Sequence, residues 1–450
     1  MTKTHFQPQP QPQHQHQHQP QHQHQPQAQT SSAPTAEGPV VIIGIDGADR
    51  QHLVHVIEPG GRGVGRTLDQ DPDDIADWVH ELQQRFPGHV LAIALEQSRG
   101  ALVHALLGFD GLRLYPINPK QLARYRESLD PSGGKNDPRD AELLARFLLH
   151  HRDQLRVWQP DAPETRRLAH LAQLRRRLVD ERKSVTLRLG SILKLYFPLI
   201  ITLFGKALHG ELVLELLRRW PTLAELKRPH PKTLRAFFAE HAIRGEDRQT
   251  ELIDAIRSAT PLTRDAALIE PHSLFVQSLV RQLAELNRAV DQFDEELQRA
   301  VAQHPDEPLF RAVPGAGDAL VPRLIAAFGS DRDRYDSAEQ IQTYSGIAPV
   351  TRKSGKACST TRRHACPKFL RQTFHEFADH ARQWSTWSKA FYALKRATGM
   401  KHHAAVRALA FKWLRILFHL WKTRSTYSET LYLKQLHQKH SPLIPYLEPT

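Results

Sequence analysis

"PVVIIGIDGADRQHLVHVIEPGGRGVGRTL", residues 39–68, decides the architecture of the first part of the chain. Val40 to Ile45 is an unbroken apolar run that stops at Asp46, the pattern of a strand buried on both faces in the middle of a sheet. A Gly-Ala-Asp turn leads to a second strand through Val56, and Gly60-Gly61 turns into a third, which makes an antiparallel meander. Further on, "DPDDIADWVHELQQRF" has helical spacing at Ile75, Val79 and Leu82, and "HVLAIALE" reads as another buried strand, ending at Glu96. A helix near residues 99–107, the strand "LRLYPIN", a helix at 119–128 and a helix opening at Asp137 complete the order β-β-β-α-β-α-β-α-α.

Asp46 and Glu96 each close an apolar strand. Parallel strands joined by a right-handed crossover present their C-terminal ends on one edge, so the two carboxylates converge there if their strands are neighbours. The stretch "GGKNDPRDAELLARFLLHH", residues 133–151, adds two more acids. Asp137 can cap the helix, with Pro138 at the first helical position and Asp140 closing a capping box. Spaced three apart, Asp137 and Asp140 also share a helix face and can come over the same sheet edge. Singly, each acid reads as structural; as a set of four they favour cations between them, magnesium first and manganese as the alternative.

The 450 residues suggest two or three domains. No run of eighteen apolar residues and no apolar signal core occur, so the expectation is a cytoplasmic protein without a membrane partner. Cys358 and Cys366 are expected to be free thiols, and with His364 and His375 they lack the spacing of a zinc framework, so no zinc is expected. A formal charge of +13 points to a polyanionic partner. From Thr351 to His375 there is no acid, while Arg352, Lys353, Lys356, Arg362, Arg363, Lys368 and Arg371 crowd together. Trp384, Trp387, Phe391, Tyr392 and Trp413 interleave with the bases that follow. Phosphate contacts with aromatic support are one reading, and a solvated basic face over an aromatic core is the other.

Residues 7–29 are almost wholly Gln, Pro and His, too poor in apolar side chains to fold, so residues 1–38 read as a disordered tail. Pro163 to Leu195 reads as a basic helix with Leu171, Leu174, Leu178, Val185 and Leu189 on one stripe. Val276, Leu279, Leu283, Leu286, Val290, Phe293 and Leu297 alternate steps of three and four, a coiled-coil seam that could pair within a chain or between chains. Residues 205–270 read as short helices with Pro breaks. In "RAVPGAGDALVPRLIAAFG", residues 311–329, a turn at Gly315 and Gly317 between helices can offer backbone N–H groups to a phosphate, or serve as plain punctuation. Ser354, before Gly355, reads on its own as a loop turn residue among bases.

Taken together, "GID", "ALE", "INPKQLARYRESLDPSGGKNDPRDAELLARFL", "VPGAGDALVPRLIAAFG" and "YSGIAPVTRKSGK" followed by "FLRQTFHEFA" resemble the insertion-sequence 110 family of DEDD transposases, including the Piv-type DNA invertases, over nearly all of residues 40–425. The resemblance implies an α/β plus α architecture: an RNase H-like (RuvC-like) mixed-sheet domain at 39–155 and a helical coiled-coil arm at 156–305. After these it implies a mostly helical C-terminal transposase domain at 306–425, with a helix-hairpin-helix-like motif and a serine loop, and a tail at 426–450. It maps a metal-binding tetrad onto Asp46, Glu96, Asp137 and Asp140 and a nucleophile onto Ser354, two sites that act together in the family. It further implies DNA as element ends and target, a structured guide RNA, and a homo-oligomer, dimer or tetramer. Nucleic-acid contacts are expected at Lys135, Gly315, Gly317, Arg352, Lys353, Lys356, Arg362, Arg363, Lys368 and Arg371. Residues Arg363 to Lys368 depart from the family's commoner lysine-x-glycine-asparagine stretch. The rival readings are a RuvC-like nuclease using metal-activated water, and a non-catalytic nucleic-acid-binding protein.

Overall fold

The apolar run forms β1 (Val40–Asp46), the central strand of a five-stranded sheet whose order is β3-β2-β1-β4-β5. The computed structural model describes residues 39–96, 100–129, 137–355 and 357–447; the Gln/His/Pro tail and Lys135 lie outside them. Strands β2 (Gln51–Ile57) and β3 (Gly63–Asp69) run antiparallel beside β1, as the meander requires. After helix α1 (Pro72–Arg85), β4 (Val90–Leu95) pairs parallel to β1; after α2 (Ala101–Leu106), β5 (Leu112–Pro116) pairs parallel to β4. Helices α3 (Pro119–Leu129) and α4 (Asp137–His151) follow. The observed element order matches the sequence reading throughout, and α4 opens at Asp137 itself, one residue before the start at Pro138 that a cap at Asp137 would give.

Alternation along β1 sorts its side chains between two cores. Val41, Ile43 and Ile45 pack with Ile75, Trp78 and Val79 of α1 and Leu102, Val103 and Leu106 of α2. Ile42 packs with Leu144, Ala145 and Leu148 of α4 on the other face. Between Ile42 and Asp46, on that same face, lies Gly44. A Cβ on Gly44 would collide with the Ala141 carbonyl oxygen and sit 2.5 Å from the Ala145 nitrogen, so the helix rests directly on the strand backbone.

The chain divides at Trp158/Gln159 into two units, each described here by itself. In the second, α5 (Pro163–Tyr196) leads through five short helices, α6 to α10 (Leu199–Phe204, Glu211–Arg219, Leu223–Leu226, Pro231–Glu240 and Glu246–Ser258), to α11 (Ala266–Ala302). Helices α5 and α11 pair antiparallel within the chain. Arg175 forks onto Asp294 at 2.6 and 2.8 Å, and Arg167 reaches Glu296 at 2.8 Å. Val276, Leu279 and Leu283 bury against α5 and the short helices. Of the stripe expected on α5, Val185 and Leu189 are buried and Leu171 and Leu178 half-buried, while Leu174 is 43 % exposed; Leu168, Ala172 and Leu193 are buried as well. The ion pairs that line this part of α5 leave Leu174 on the solvent side.

The remaining elements are α12 (Glu307–Arg311), α13 (Val321–Phe328), α14 (Ala338–Tyr344), β6 (Val350–Ser354), β7 (Ala357–Thr361), α15 (Lys368–Trp384), α16 (Thr386–Ala397), α17 (His402–Thr423) and α18 (Glu429–Gln438). Their core is aromatic. Trp387, Trp413 and Trp421 are fully buried, and their ring N–H groups donate to Tyr427 Oη, Ser388 Oγ and the Gly329 carbonyl. Two of the aromatics interleaved with the basic run, Trp387 and Trp413, are therefore core, while Trp384 is 74 % exposed. Among the described residues no helix is long and apolar enough to cross a membrane.

The close approach at Gly44 is testable. Gly44→Ala should lower stability by about 1–3 kcal/mol, the usual cost of overfilling a packed interior, seen as a lower urea midpoint. Gly60→Ala, where an added methyl meets nothing within 4 Å, should leave the midpoint near the parent value.

Candidate active site

Parallel pairing of β1 with β4 sets Ile45 opposite Leu95, so Asp46 and Glu96 follow as the next neighbours at the strand ends. Neighbouring strands lie about 4.8 Å apart, which brings two carboxylates side by side. Both line one cleft of about 350 Å³, together with His52, Gln70 and the start of α2. His52, 2 % exposed, anchors the turn after β1: its Nδ1 accepts from the Ala48 amide at 3.2 Å, and its Nε2 meets Gln70 Oε1 at 2.8 Å. With Nδ1 accepting, Nε2 carries the proton and donates to Gln70, which fixes the neutral tautomer. Sequence reasoning passed over His52, whose place in an alternating strand gave no sign of a polar role.

Asp137 and Asp140 sit in the first turn of α4. The side chain of Asp137 lies outside the described residues. Asp140 is 5 % exposed, and its Oδ1 accepts from Arg126 Nη2 of α3 at 2.5 Å. The buried acid expected to face a metal therefore has a guanidinium as its partner here. Among the described residues no three His, Cys, Asp or Glu side chains are placed to share a metal ion. The donor set accordingly fits divalent ions at Asp46 and Glu96, which are adjacent and share a cleft, and fits them less directly at Asp140.

Ser354 is not in a loop. It ends β6 and pairs with Ala357 of β7, so the basic segment is a hairpin with Gly355 at its turn. Gly355 has φ +55°, the left-handed region that a tight hairpin turn requires. The segment carries no apolar alternation, which is why it read as a loop. Ser354 and Arg352 are exposed; Lys356 and the side chain of Lys353 lie outside the described residues. Arg362 and Lys368 are exposed and Arg371 is half-buried, donating to Cys366 Sγ at 3.3 Å. Arg363 has a buried Nε without a partner among the described residues.

The Pro-Gly-x-Gly segment joins α12 to α13. Gly315, at φ +82°, lies against α15, where a Cβ would come within 2.8 Å of the Ala381 nitrogen. Gly315 and Gly317 line an open cleft with His380 and the exposed Trp384.

Adjacent carboxylates at the ends of parallel strands, in a chain that also carries an acid-free basic hairpin with an exposed serine, are a combination suited to an enzyme of nucleic-acid phosphodiesters. A family model described as "Transposase", for DEDD transposases of the IS110 type, matches residues 43–198, and one described as "Transposase IS116/IS110/IS902 family" matches residues 307–393. The mini-circle putative transposase for IS117 of Streptomyces coelicolor is 28 % identical over 400 residues, 86 % of this chain and 95 % of that protein. Putative transposase y4uE of Sinorhizobium fredii is 28 % identical over 45 % of this chain and 57 % of its own length. The uncharacterized 43.6 kDa protein of insertion element IS110, also from Streptomyces coelicolor, is 22 % identical over 87 % of this chain and 96 % of its own. The chain belongs to the insertion-sequence 110 family of transposases, enzymes that cut and rejoin DNA.

Arg126 provides a test of the site's internal charge balance. Arg126→Leu leaves the Asp140 carboxylate buried without its partner and should cost roughly 3–5 kcal/mol in chemical denaturation. Arg126→Lys, which keeps a cation within reach, should recover much of that loss.

Proposed function

We propose that the N-terminal unit is an RNase H-like nuclease domain whose carboxylates bind magnesium, or manganese, and that Ser354 is the nucleophile of a DNA recombination reaction. The observation that carries this reading is the placement of Asp46 and Glu96 as neighbours at the ends of β1 and β4 in a single cleft. The sheet order 3-2-1-4-5, with its antiparallel first half and parallel second half, supports the RNase H-like assignment. Asp137 and Asp140, at the start of the helix that lies on β1, are the remaining candidate ligands, and Asp140 would have to exchange Arg126 for an ion. When bound, divalent ions would neutralise the carboxylates and polarise a phosphodiester.

The chain's own residues supply the rest. Ser354 Oγ, exposed at the end of β6, forms a bond to phosphorus while one DNA oxygen leaves carrying the proton that the serine gave up. A phosphoserine link and a free DNA hydroxyl result, and reverse attack by a hydroxyl of a second strand completes the exchange. Arg352, Lys353 and Lys356, with Arg362, Arg363, Lys368 and Arg371 behind them, would hold the phosphates of DNA or of a structured guide RNA. Lys135 and the backbone at Gly315 and Gly317 are further candidate phosphate contacts. A dimer or tetramer, expected from the family resemblance, would bring element ends and target together.

Covalent adducts and cleavage give separate readouts. Ser354→Ala should bind DNA and form no protein–DNA adduct after denaturation; adducts at the parent level would eliminate this nucleophile. Asp46→Asn and Glu96→Gln should fold, keep DNA affinity and lose cleavage, because a neutral amide is a poor ligand for a hard divalent ion. Cleavage by both variants at the parent rate would remove the metal site from the mechanism.

A further inference from the structure

Below the serine hairpin, the C-terminal unit holds a cleft of about 510 Å³ lined by Arg362, Arg363, Lys395 and Arg407. No acid lines it, and none of the four makes an ion pair among the described residues. Burial, with Arg362 and Arg371 close by, pushes the Arg407 guanidinium below its ordinary pKa. Crowded cations with a buried, unpartnered Arg363 Nε form a site built for an anion. Apart from Thr360 and Thr361, the rest of the lining is apolar and includes Phe391, Met400, Ala404, Ala408 and Phe411. A bare phosphate would have no use for that wall. Lys395 Nζ lies 5.4 Å above the Phe391 ring and Lys412 Nζ 5.2 Å from it, so this ring already receives cations through its face.

A ligand that joins a flat apolar body to an anionic group meets both halves of the lining, and in a DNA-cutting enzyme the polymer with that chemistry is the DNA strand. We propose that this cleft takes one nucleotide turned out of a DNA strand, with its base against Phe391, Met400 and Phe411 and its phosphates on Arg362, Arg363 and Arg407. The volume falls within the ~300–1,000 Å³ of ordinary ligand pockets, enough for one base and its sugar. Proteins that take a base out of the stack receive it in a snug pocket with aromatic or apolar walls, at a cost for unstacking. Thr360 and Thr361 line the cleft, and Thr361 pairs with Val350 at the base of the hairpin, four residues from Ser354. At about 3.3 Å per residue the cleft is ~13 Å along the strand from Ser354, roughly four nucleotides at B-form rise. Only this spacing rests on the reading of Ser354 as nucleophile.

The test uses the full chain, fluorescence anisotropy, a short labelled oligothymidylate and an abasic strand of the same length and charge. The parent should prefer the base-bearing strand, and filling the chamber with Ala404→Leu or Ala408→Leu should remove roughly ten-fold of that preference while abasic binding is unchanged. Both substitutions are in helix α17, where leucine is a good helix former. Arg407→Gln should weaken both strands alike. Ser354→Ala should leave the base preference intact, which separates failure of the cleft from failure of the nucleophile. A preference that survives both filling variants in folded protein would overturn the proposal, as would filling variants that affect oligouridylate RNA alone.

Discussion

A glycine with no room for a methyl group holds the first unit together. Because Gly44 lacks a side chain, α4 lies against the backbone of the central strand rather than a side chain's length above it, and its first turn comes over the C-terminal edge of the sheet. That edge is where β1 ends in Asp46 and where Glu96 follows directly on the last residue of β4. The rest of the β1 face is graded to suit the same helix, with Ile42 supplying bulk where Leu144 and Leu148 stand off and Gly44 supplying none where Ala141 and Ala145 come closest. Small residues on the helix answer the small residue on the strand.

In the second unit the field is set by where acids are consumed. Glu376 is the first acid after the basic hairpin, and it is spent on Arg323 at 2.5 Å and Arg176 at 3.2 Å. Burial raises its pKa, but the two guanidiniums outweigh that and hold the carboxyl below its ordinary range. Asp379 is taken by Arg382 at 2.6 Å. The nearest negative charges are thus satisfied locally, and the bases from Arg352 to Arg371 keep their positive potential for a ligand.

Much of this was legible because buried strands and amphipathic helices leave periodic traces. The run Val40–Ile45, the spacing of Ile75, Val79 and Leu82, and the acids that close two strands are local signals, and all became the elements they indicated. What sequence left hidden is non-local or aperiodic. The Arg126–Asp140 pair joins two helices across a loop, and no pattern within either helix encodes it. The β6–β7 hairpin, with the sequences VTRKS and ACSTT, carries no apolar alternation, so the strand signal is silent there. Trp387 and Trp413 looked like stacking platforms among the bases, and only tertiary packing distinguishes them from Trp384. Both placements of the seam on α11 satisfied its heptads, and only the tertiary structure brings out the bidentate Arg175–Asp294 fork that joins α11 to α5 within the chain.

The guanidinium on Asp140 also bears on how the enzyme is made. A cluster of carboxylates that needed its metal to offset mutual repulsion would tie the closing of α4 over the sheet to the supply of ions. With Arg126 holding one acid from within the same unit, part of that repulsion is met by the polypeptide alone. Closing α4 over the sheet then does not have to wait for an ion to offset the charge of Asp140, because the polypeptide carries that counter-charge itself.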